Sequence, residues 1–301
     1  MIVARDNGSG LTRDAQIFRS ALENAGHSVG LVEYDSNPPN RPQADVALFL
    51  ELFTPRWSRC AHQLTLVPNQ EWFPEQDIPS LSLIDIVLCK TRYAEQVMRG
   101  LGAHTEYMSM TSEDRSAPPL GKWALLQKSY CLHIAGKSEF KGTRAVLEAW
   151  GEHPEWPQLV LLSRVHEIQG EPPSNVKIAA QVNDKELRAM QNGAFLHIQP
   201  SEVEGFGHVI AEALSTGIPT ITTDAPPMNE MITPGRGYLV PYDSVHRRCM
   251  GERFETTGEL LTPVIEEALN DPDAQTRGRM GREWWEFNDA FFKRRITEIF
   301  S

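Results

Sequence analysis

Cysteine is scarce in this chain, and the four present (Cys60, Cys89, Cys131, Cys249) are scattered without a single C-x-x-C spacing. That pattern excludes a zinc module or disulfide framework built on paired cysteines and points to reduced thiols in a cytosolic protein. Long apolar runs are also missing, since none approaches the roughly 18 residues that cross a bilayer. The opening residues, MIVARDNGSG, lack the charged region, apolar stretch and cleavage site of a secretory signal, so a cytoplasmic location is expected. Positive charge is in deficit: 29 Lys and Arg face 40 Asp and Glu, a formal net charge of −11. A general coat for nucleic acid or a membrane surface would need the opposite balance. Three local basic groups, at Arg247 and Arg248, at Arg277, Arg279 and Arg282, and at Lys293 to Arg295, read as solvated helix faces. Internal repeats and low-complexity segments are absent. The one Asp-x-Asp, Asp271-Pro-Asp273, falls in a helix-ending loop and reads as a turn, so no metal site is expected.

What is present is an ordinary globular composition, 41% hydrophobic and 23% charged over 301 residues, with room for two domains. Short apolar runs alternate with helical periodicity. Residues 1–5 predict a strand, and Ala15, Phe18, Leu22 and Ala25 predict a helix stopped at Gly26. Further strands are expected over 29–34, 45–50, 63–67 and 84–89, with a helix over 91–99. A polar stretch with two prolines, residues 111–122, is the natural linker. The alternation then restarts with strands over 130–135, 159–163, 194–199 and 220–223. Helices are expected over 143–150 and 185–190, and again after Gly207. Such alternation implies parallel sheets covered by helices, giving two Rossmann-like domains in succession.

In such sheets ligands sit beyond the C-terminal strand ends, where helices begin. Three segments fall there. Gly8-Ser9-Gly10 follows the first strand and could bring backbone N–H groups up to an anion. Arg13 stands where a dinucleotide fingerprint needs its third glycine, which discounts a dehydrogenase. LHIAGKSEFKGT, residues 132–143, puts Lys137 and Lys141 on a loop at a helix start; the choice lies between a diphosphate site and a solvated lysine-rich turn. SEVEGFGHVIAEALSTG, residues 201–217, puts Glu204 before a helix and Glu212 inside it among Val209, Ile210, Ala213 and Leu214. The helix dipole accounts for Glu204 alone. Glu212, in apolar surroundings, needs a hydrogen-bonding partner. Carboxylates suit the vicinal hydroxyls of sugars and ribose, so the pair could grip two sugar rings, with glycine amides facing phosphate between them.

The spacing Glu204-x7-Glu212, with Gly-Phe-Gly inside it and Ser-Thr-Gly-Ile-Pro after it, resembles retaining glycosyltransferases of the GT-B fold, the glycosyl transferases group 1 family of the EGFG/E-x7-E type. AGKSEFKGT resembles that family's phosphate-binding segment. Gly8-Ser9-Gly10 resembles its N-terminal glycine loop, and Gly26-His27-Ser28-Val29 its lead into strand two. The resemblance spans nearly the whole chain and is strongest over residues 130–240. It implies two Rossmann-like domains facing each other across a cleft, an acceptor domain over 1–118 and a nucleotide-sugar donor domain over 119–282. A C-terminal helix over 283–301 would return to the first domain. It further implies that Glu212 holds ribose hydroxyls and Glu204 the transferred sugar, while Phe206 and Gly207 offer amides and Lys137 and Lys141 neutralise the diphosphate. His208, at the helix start, is a candidate for phosphate or sugar contact. The donor would be a UDP- or GDP-sugar, with no further cofactor and no metal.

Two departures stand out. The family commonly has Arg where Lys137 stands, and its acceptor-side histidine has no obvious counterpart. Near the matching strand end, Asn69 and Glu71 are acceptor-side candidates, a capped turn before Pro74 being the alternative reading. His133 and His197 fall within expected strands and read as core residues. Residues 1–118 carry ten Lys and Arg against fifteen Asp and Glu, and no basic amphipathic helix for a lipid surface, so no stable membrane association is expected. A small soluble acceptor or a glycan fits more easily. A hydroxylated DNA base such as 5-hydroxymethylcytosine also stays among the acceptors, with Arg56-Trp57-Ser58-Arg59 offering cations and an aromatic ring. A non-catalytic sugar-nucleotide-binding protein, or a GT-B epimerase or phosphorylase, are the alternatives.

Overall fold

The computed structural model describes residues 1–8, 10–118, 121–126, 128–164 and 171–301. Ser9 of the glycine loop, and residues 119 and 120 of the expected linker, lie outside the described residues. The chain forms two compact units. The first comprises Met1–Ser112, Arg247–Glu252 and Asn288–Ser301, and the second Glu113–His246 and Arg253–Phe287.

In the first unit the elements are β1 (Ile2–Ala4), α1 (Gly10–Asn24), β2 (Leu31–Glu33), β3 (Ala44–Glu51), β4 (Ala61–Pro68), β5 (Ile86–Cys89), α2 (Arg92–Gly100) and β6 (Thr105–Tyr107). Six parallel strands run in the order β2-β1-β3-β4-β5-β6. The central pair is the longest, in register from Ala44 opposite Ala61 to Glu51 opposite Pro68. Residues Ala47–Leu50 are buried without alternation, as a parallel sheet covered on both faces requires. Helix α1 turns Leu11, Phe18 and Leu22 inward at helical spacing. Phe18 meets Phe292 edge-to-face at 5.7 Å. Asn288 accepts from Ser109 Oγ at 2.5 Å and donates to the Met110 carbonyl at 2.7 Å.

The second unit contains α3 (Lys122–Leu125), β7 (Tyr130–Gly136), α4 (Thr143–Glu152), β8 (Gln158–Ser163), β9 (Val176–Ala179), α5 (Asp184–Gly193), β10 (Leu196–Gln199), α6 (His208–Ser215), β11 (Thr220–Thr223), α7 (Met228–Met231) and β12 (Tyr238–Val240). A hairpin, β13 (Ser244–Arg248) and β14 (Gly251–Glu255), precedes α8 (Gly258–Asn270) and α9 (Ala274–Phe300). Arg247 and Arg248 therefore stand on a strand, and only the other two basic groups lie on a helix, α9. The sheet order is β12-β11-β10-β7-β8-β9, all parallel. That is the dinucleotide-type order, and its direction of winding reverses between β7 and β10. The core is made by Cys131, Val146, Trp150, Leu159, Leu196, Ile221, Leu261 and Ile265, among others. Trp150 meets Trp156 edge-to-face at 5.0 Å and donates its indole N–H to the Pro157 carbonyl at 3.0 Å. Fully burying a side chain such as Leu, Ile or Val contributes about 1.5–3 kcal/mol. No helix among the described residues is long and apolar enough to cross a membrane.

Candidate functional site

Where winding reverses, the helices that follow neighbouring strands pass to opposite faces of the sheet, and ligands of such folds bind at the strand ends between them. In the second unit the segments at those strand ends are residues 137–142 after β7 and 200–207 after β10, which carry two of the three motifs. They are stitched together through the backbone, with Glu202 N–H donating to the Phe140 carbonyl at 2.9 Å. Gly142 sits in the left-handed region at φ 67°, and a Cβ there would stand 2.2 Å from the Pro200 carbonyl oxygen. Only glycine satisfies both the conformation and the approach. Gly207 is also left-handed, at φ 106°, and begins α6 as Gly142 begins α4. Helices α2, α5 and α8 are capped by the side chains of Thr91, Asn183 and Thr257. Helices α4 and α6 have no side-chain cap. Their first N–H groups and positive dipole ends point to where an anion would sit.

Lys141, the residue before Gly142, donates to the Glu204 carboxylate. The two groups, read separately from the sequence, thus form one ion pair between the segments that lead into α4 and α6, with Lys141 17% and Glu204 10% exposed. Lys137 lies on the same segment but is exposed. Phe206 is buried and its ring meets that of His208 edge-to-face at 5.4 Å. Next to the pair, Arg253 and Glu202 bond at 2.6 Å, and burial raises the Glu202 carboxyl above its ordinary range against the pull of that arginine.

Glu212, in α6, is 4% exposed. The partner its burial demands is Gln191 of α5, whose Nε2 donates to Glu212 Oε2 at 3.1 Å. Gln191 in turn accepts from Arg115 Nε at 2.9 Å. Neither Gln191 nor Arg115 is marked by any motif. His133 and His197 are fully buried in β7 and β10, and burial pushes both down to about 4. His133 is not remote from these segments, because its Nε2 lies 2.9 Å from Oγ1 of Thr143, the first residue of α4.

The remaining candidates belong to the first unit. Gly8 is left-handed, and its N–H donates to Asp6 Oδ1 at 3.2 Å, so that donor is already engaged in a local turn. Gly10 is the first residue of α1. Asn69 follows β4 and is held from two sides, accepting from Lys90 Nζ and donating to Glu51 Oε1 at 2.9 Å. Lys90 is buried and also bonds Asp14 at 3.0 Å. Glu71 is buried. Asp271 ends α8 in a turn, accepting from Asp273 N–H, Tyr238 and Arg277, all at 2.8 Å. Among the described residues no three or more His, Cys, Asp or Glu lie together as metal ligands would.

Residues 126–247 match the family model for glycosyl transferases group 1. That group 1 segment contains β7 to β12 and both motifs of the second unit. No curated protein matches the chain in sequence. Among solved structures, sucrose-phosphate synthase from Thermosynechococcus elongatus superposes with a TM-score of 0.74 at 15% identity, covering 97% of this chain and 96% of that one. A glycosyltransferase from Rickettsia africae gives 0.74 at 14%, covering 99% and 97%. HepE from Anabaena, solved in complex with UDP-glucose, gives 0.72 at 13%, covering 99% and 98%. At such identity the likeness establishes architecture: two parallel six-stranded sheets in the GT-B fold. The group 1 segment supplies the second of those sheets.

Proposed function

We propose that this protein is a retaining, metal-independent glycosyltransferase that moves a hexosyl or pentosyl group from a UDP- or GDP-sugar to an acceptor hydroxyl. One observation carries the reading. At the winding reversal of the second sheet, two uncapped helix starts flank a Lys141–Glu204 pair, while a second, buried carboxylate stands within α6. A nucleotide sugar has the matching sequence of groups, namely ribose diol, diphosphate and hexose. The group 1 match over this segment and the UDP-glucose complex of HepE support the same assignment.

In this reading Glu212 takes the ribose hydroxyls and Glu204 the hydroxyls of the transferred sugar. The diphosphate meets the amides at Phe206 and Gly207, the N-terminus of α6 and the ammonium groups of Lys141 and Lys137. His208 lies at the phosphate or sugar. As the glycosidic bond breaks, negative charge grows on the departing diphosphate, and fixed cations and helix dipoles stabilise it without reorganising. The acceptor hydroxyl enters on the same face, and its proton passes to the leaving phosphate oxygen. Asn69, Glu71 and the loop at Gly8, Ser9 and Gly10 are the acceptor-side and N-terminal candidates. Acceptors within this reading are small molecules, glycans and hydroxylated DNA bases.

Thermal stabilisation by a panel of nucleoside diphosphates and their sugars tests the donor site. One base series should raise the melting temperature, and Glu212→Ala should abolish the shift. Lys141→Ala should lower turnover about 100-fold or more, by comparison with loss of an oxyanion donor. No shift with any nucleotide overturns the assignment. Binding without sugar transfer to any acceptor class would instead make the protein a sugar-nucleotide receptor.

A further inference from the structure

The group that would read the ribose is held from behind by a chain of buried side chains with fixed polarity. Arg115 is 1% exposed, Gln191 0% and Glu212 4%. Arg115 Nε donates to Gln191 Oε1 at 2.9 Å, and Gln191 Nε2 donates to Glu212 Oε2 at 3.1 Å. A guanidinium can only donate, and a carboxylate accepts, so the amide between them has one permitted orientation. Flipping Gln191 would set its NH2 against the arginine and its carbonyl against the acid.

Arg115 is itself immobilised. Its Nη1 donates to Asp184 Oδ1 at 2.7 Å and to Glu113 Oε2 at 3.0 Å, and its Nη2 reaches the Asp184 carbonyl at 3.3 Å. Its backbone is clasped at both ends. The Arg115 N–H donates to Ser215 Oγ at 2.9 Å, and Asn192 Nδ2 donates to the Arg115 carbonyl at 2.8 Å. Ser215 Oγ then donates to the carbonyl of Glu212 at 2.7 Å. Two routes, one through side chains and one through the backbone, therefore run from Arg115 to Glu212. Arg115 stands just inside the segment by which the chain enters the second unit at Glu113.

We propose that Arg115 and Gln191 are positioning residues that stop rotation of the Glu212 carboxylate, so that it meets both hydroxyls of a ribose and selects ribonucleotide over 2′-deoxyribonucleotide donors. The inference rests on the reading of Glu212 as the ribose-binding acid. A carboxylate set for two hydroxyls loses one charge-assisted bond when the 2′-hydroxyl is missing, which corresponds to about 10- to 100-fold in affinity. A carboxylate free to turn recovers much of that by optimising the one bond left. Selectivity, more than affinity, depends on the Arg115–Gln191 pair.

The test is calorimetric titration of the full-length protein with UDP and 2′-deoxy-UDP, and with GDP and 2′-deoxy-GDP. Wild type should prefer the ribonucleotide of its base series by about 10- to 100-fold. Gln191→Met, which keeps side-chain volume but removes both polar contacts, should narrow the ratio to within about threefold. Arg115→Lys, which keeps the charge but not the planar fork, should narrow it as well. Because both ligands are titrated into one preparation, the ratio is independent of the fraction folded. A merely structural role would weaken both nucleotides alike and leave the ratio at its wild-type value, and that result in the two variants overturns the proposal. Equal binding of the ribo and deoxy forms by wild type overturns it too, while leaving the nucleotide site intact. Failure of wild type to bind either base series overturns the nucleotide-sugar reading itself and this inference with it.

Discussion

Acid should loosen the second sheet through two histidines that cannot take up charge where they stand. His133 and His197 are fully buried, and burial pushes both from 6.5 down to about 4. The His197 ring has Nε2 2.8 Å from the Gln191 carbonyl, while Nδ1 has no partner, so a second ring proton would find no acceptor. In His133, Nδ1 lies 2.6 Å from the Ile198 carbonyl and Nε2 meets the Thr143 hydroxyl. Protonation would turn that second nitrogen from acceptor to donor, against the charge of nearby Lys141. Both groups are depressed in the folded state, so between about pH 6.5 and 4 the unfolded chain holds more protons. Stability is therefore intact above that window and falls as pH drops through it. From pH 6 to pH 5 the loss works out at about 1 kcal/mol per histidine and about 2 kcal/mol for the pair. Across the whole window it reaches about 3 kcal/mol each.

Hydrogen exchange on β7 and β10 in a urea series follows the second unit separately, which a two-unit chain requires. Wild type compared with a His133→Asn/His197→Asn variant should lose about 2 kcal/mol more between those pH values. Carboxylates common to both proteins, including the burial-raised Glu202, cancel in the difference. In the ring-proton spectrum the resonances of His133 and His197 should stay in the neutral state above about pH 5. Parallel pH dependence in the two proteins, or His133 and His197 titrating near 6.5, refutes the account.

Close approaches of glycine give opposite signs for nominally identical substitutions. Gly142→Ala should cost at least about 2 kcal/mol, combining left-handed backbone with a Cβ 2.2 Å from the Pro200 carbonyl; an unchanged urea midpoint would refute that clamp. Gly278→Ala lies within α9, where alanine usually gains about 1 kcal/mol, yet its Cβ would stand 2.3 Å from the Gly217 carbonyl. It should destabilise by about 1–3 kcal/mol, whereas Gly100→Ala, with nothing within 4 Å, should stabilise by about 0.5–1 kcal/mol. Of the four thiols only Cys249 is exposed, and burial pushes Cys89 and Cys131 up to about 12. A disulfide reagent should therefore modify one thiol promptly in native protein and four after unfolding.

Much of this architecture is legible in the residue pattern because local and tertiary preferences agree there. The expected strand over 220–223 has the observed bounds of β11, and α6 begins at His208, directly after the expected Gly-Phe-Gly. What escapes a linear reading escapes it for identifiable reasons. β6, β9 and β12 are three- or four-residue strands at or near sheet edges. β9 exposes Lys177 and Ile178 side by side, so it lacks both the buried run and the alternation by which strands are known. Helix α8 carries Pro263 inside it, a breaker on propensity alone. Its formation follows from Leu261, Ile265 and Ala268, all fully buried against the core. Arg247 and Arg248 look like a helix face because two adjacent arginines carry no periodicity, and the hairpin that holds them has no Asn-Gly or Asp-Gly turn to announce it.

The candidate site divides along the same line. Lys141, Glu204 and Glu212 declare themselves through their company: glycines that only a close approach explains, and an acid among apolar neighbours that only a partner explains. The partner's identity does not follow from that demand. Gln191 lies 21 positions before Glu212 and Arg115 a further 76 before Gln191, and neither has a neighbour in sequence that sets it apart. The same holds for Lys141 with Glu204, 63 positions apart. Their pairing is decided by the sheet order, which brings β7 beside β10 only after the chain has passed through β8 and β9. Sequence can thus state that a buried carboxylate must be answered, because that is a local energetic condition. Which donor answers it is a property of the winding, and so the groups that orient a site are harder to foresee than the groups that would touch the ligand.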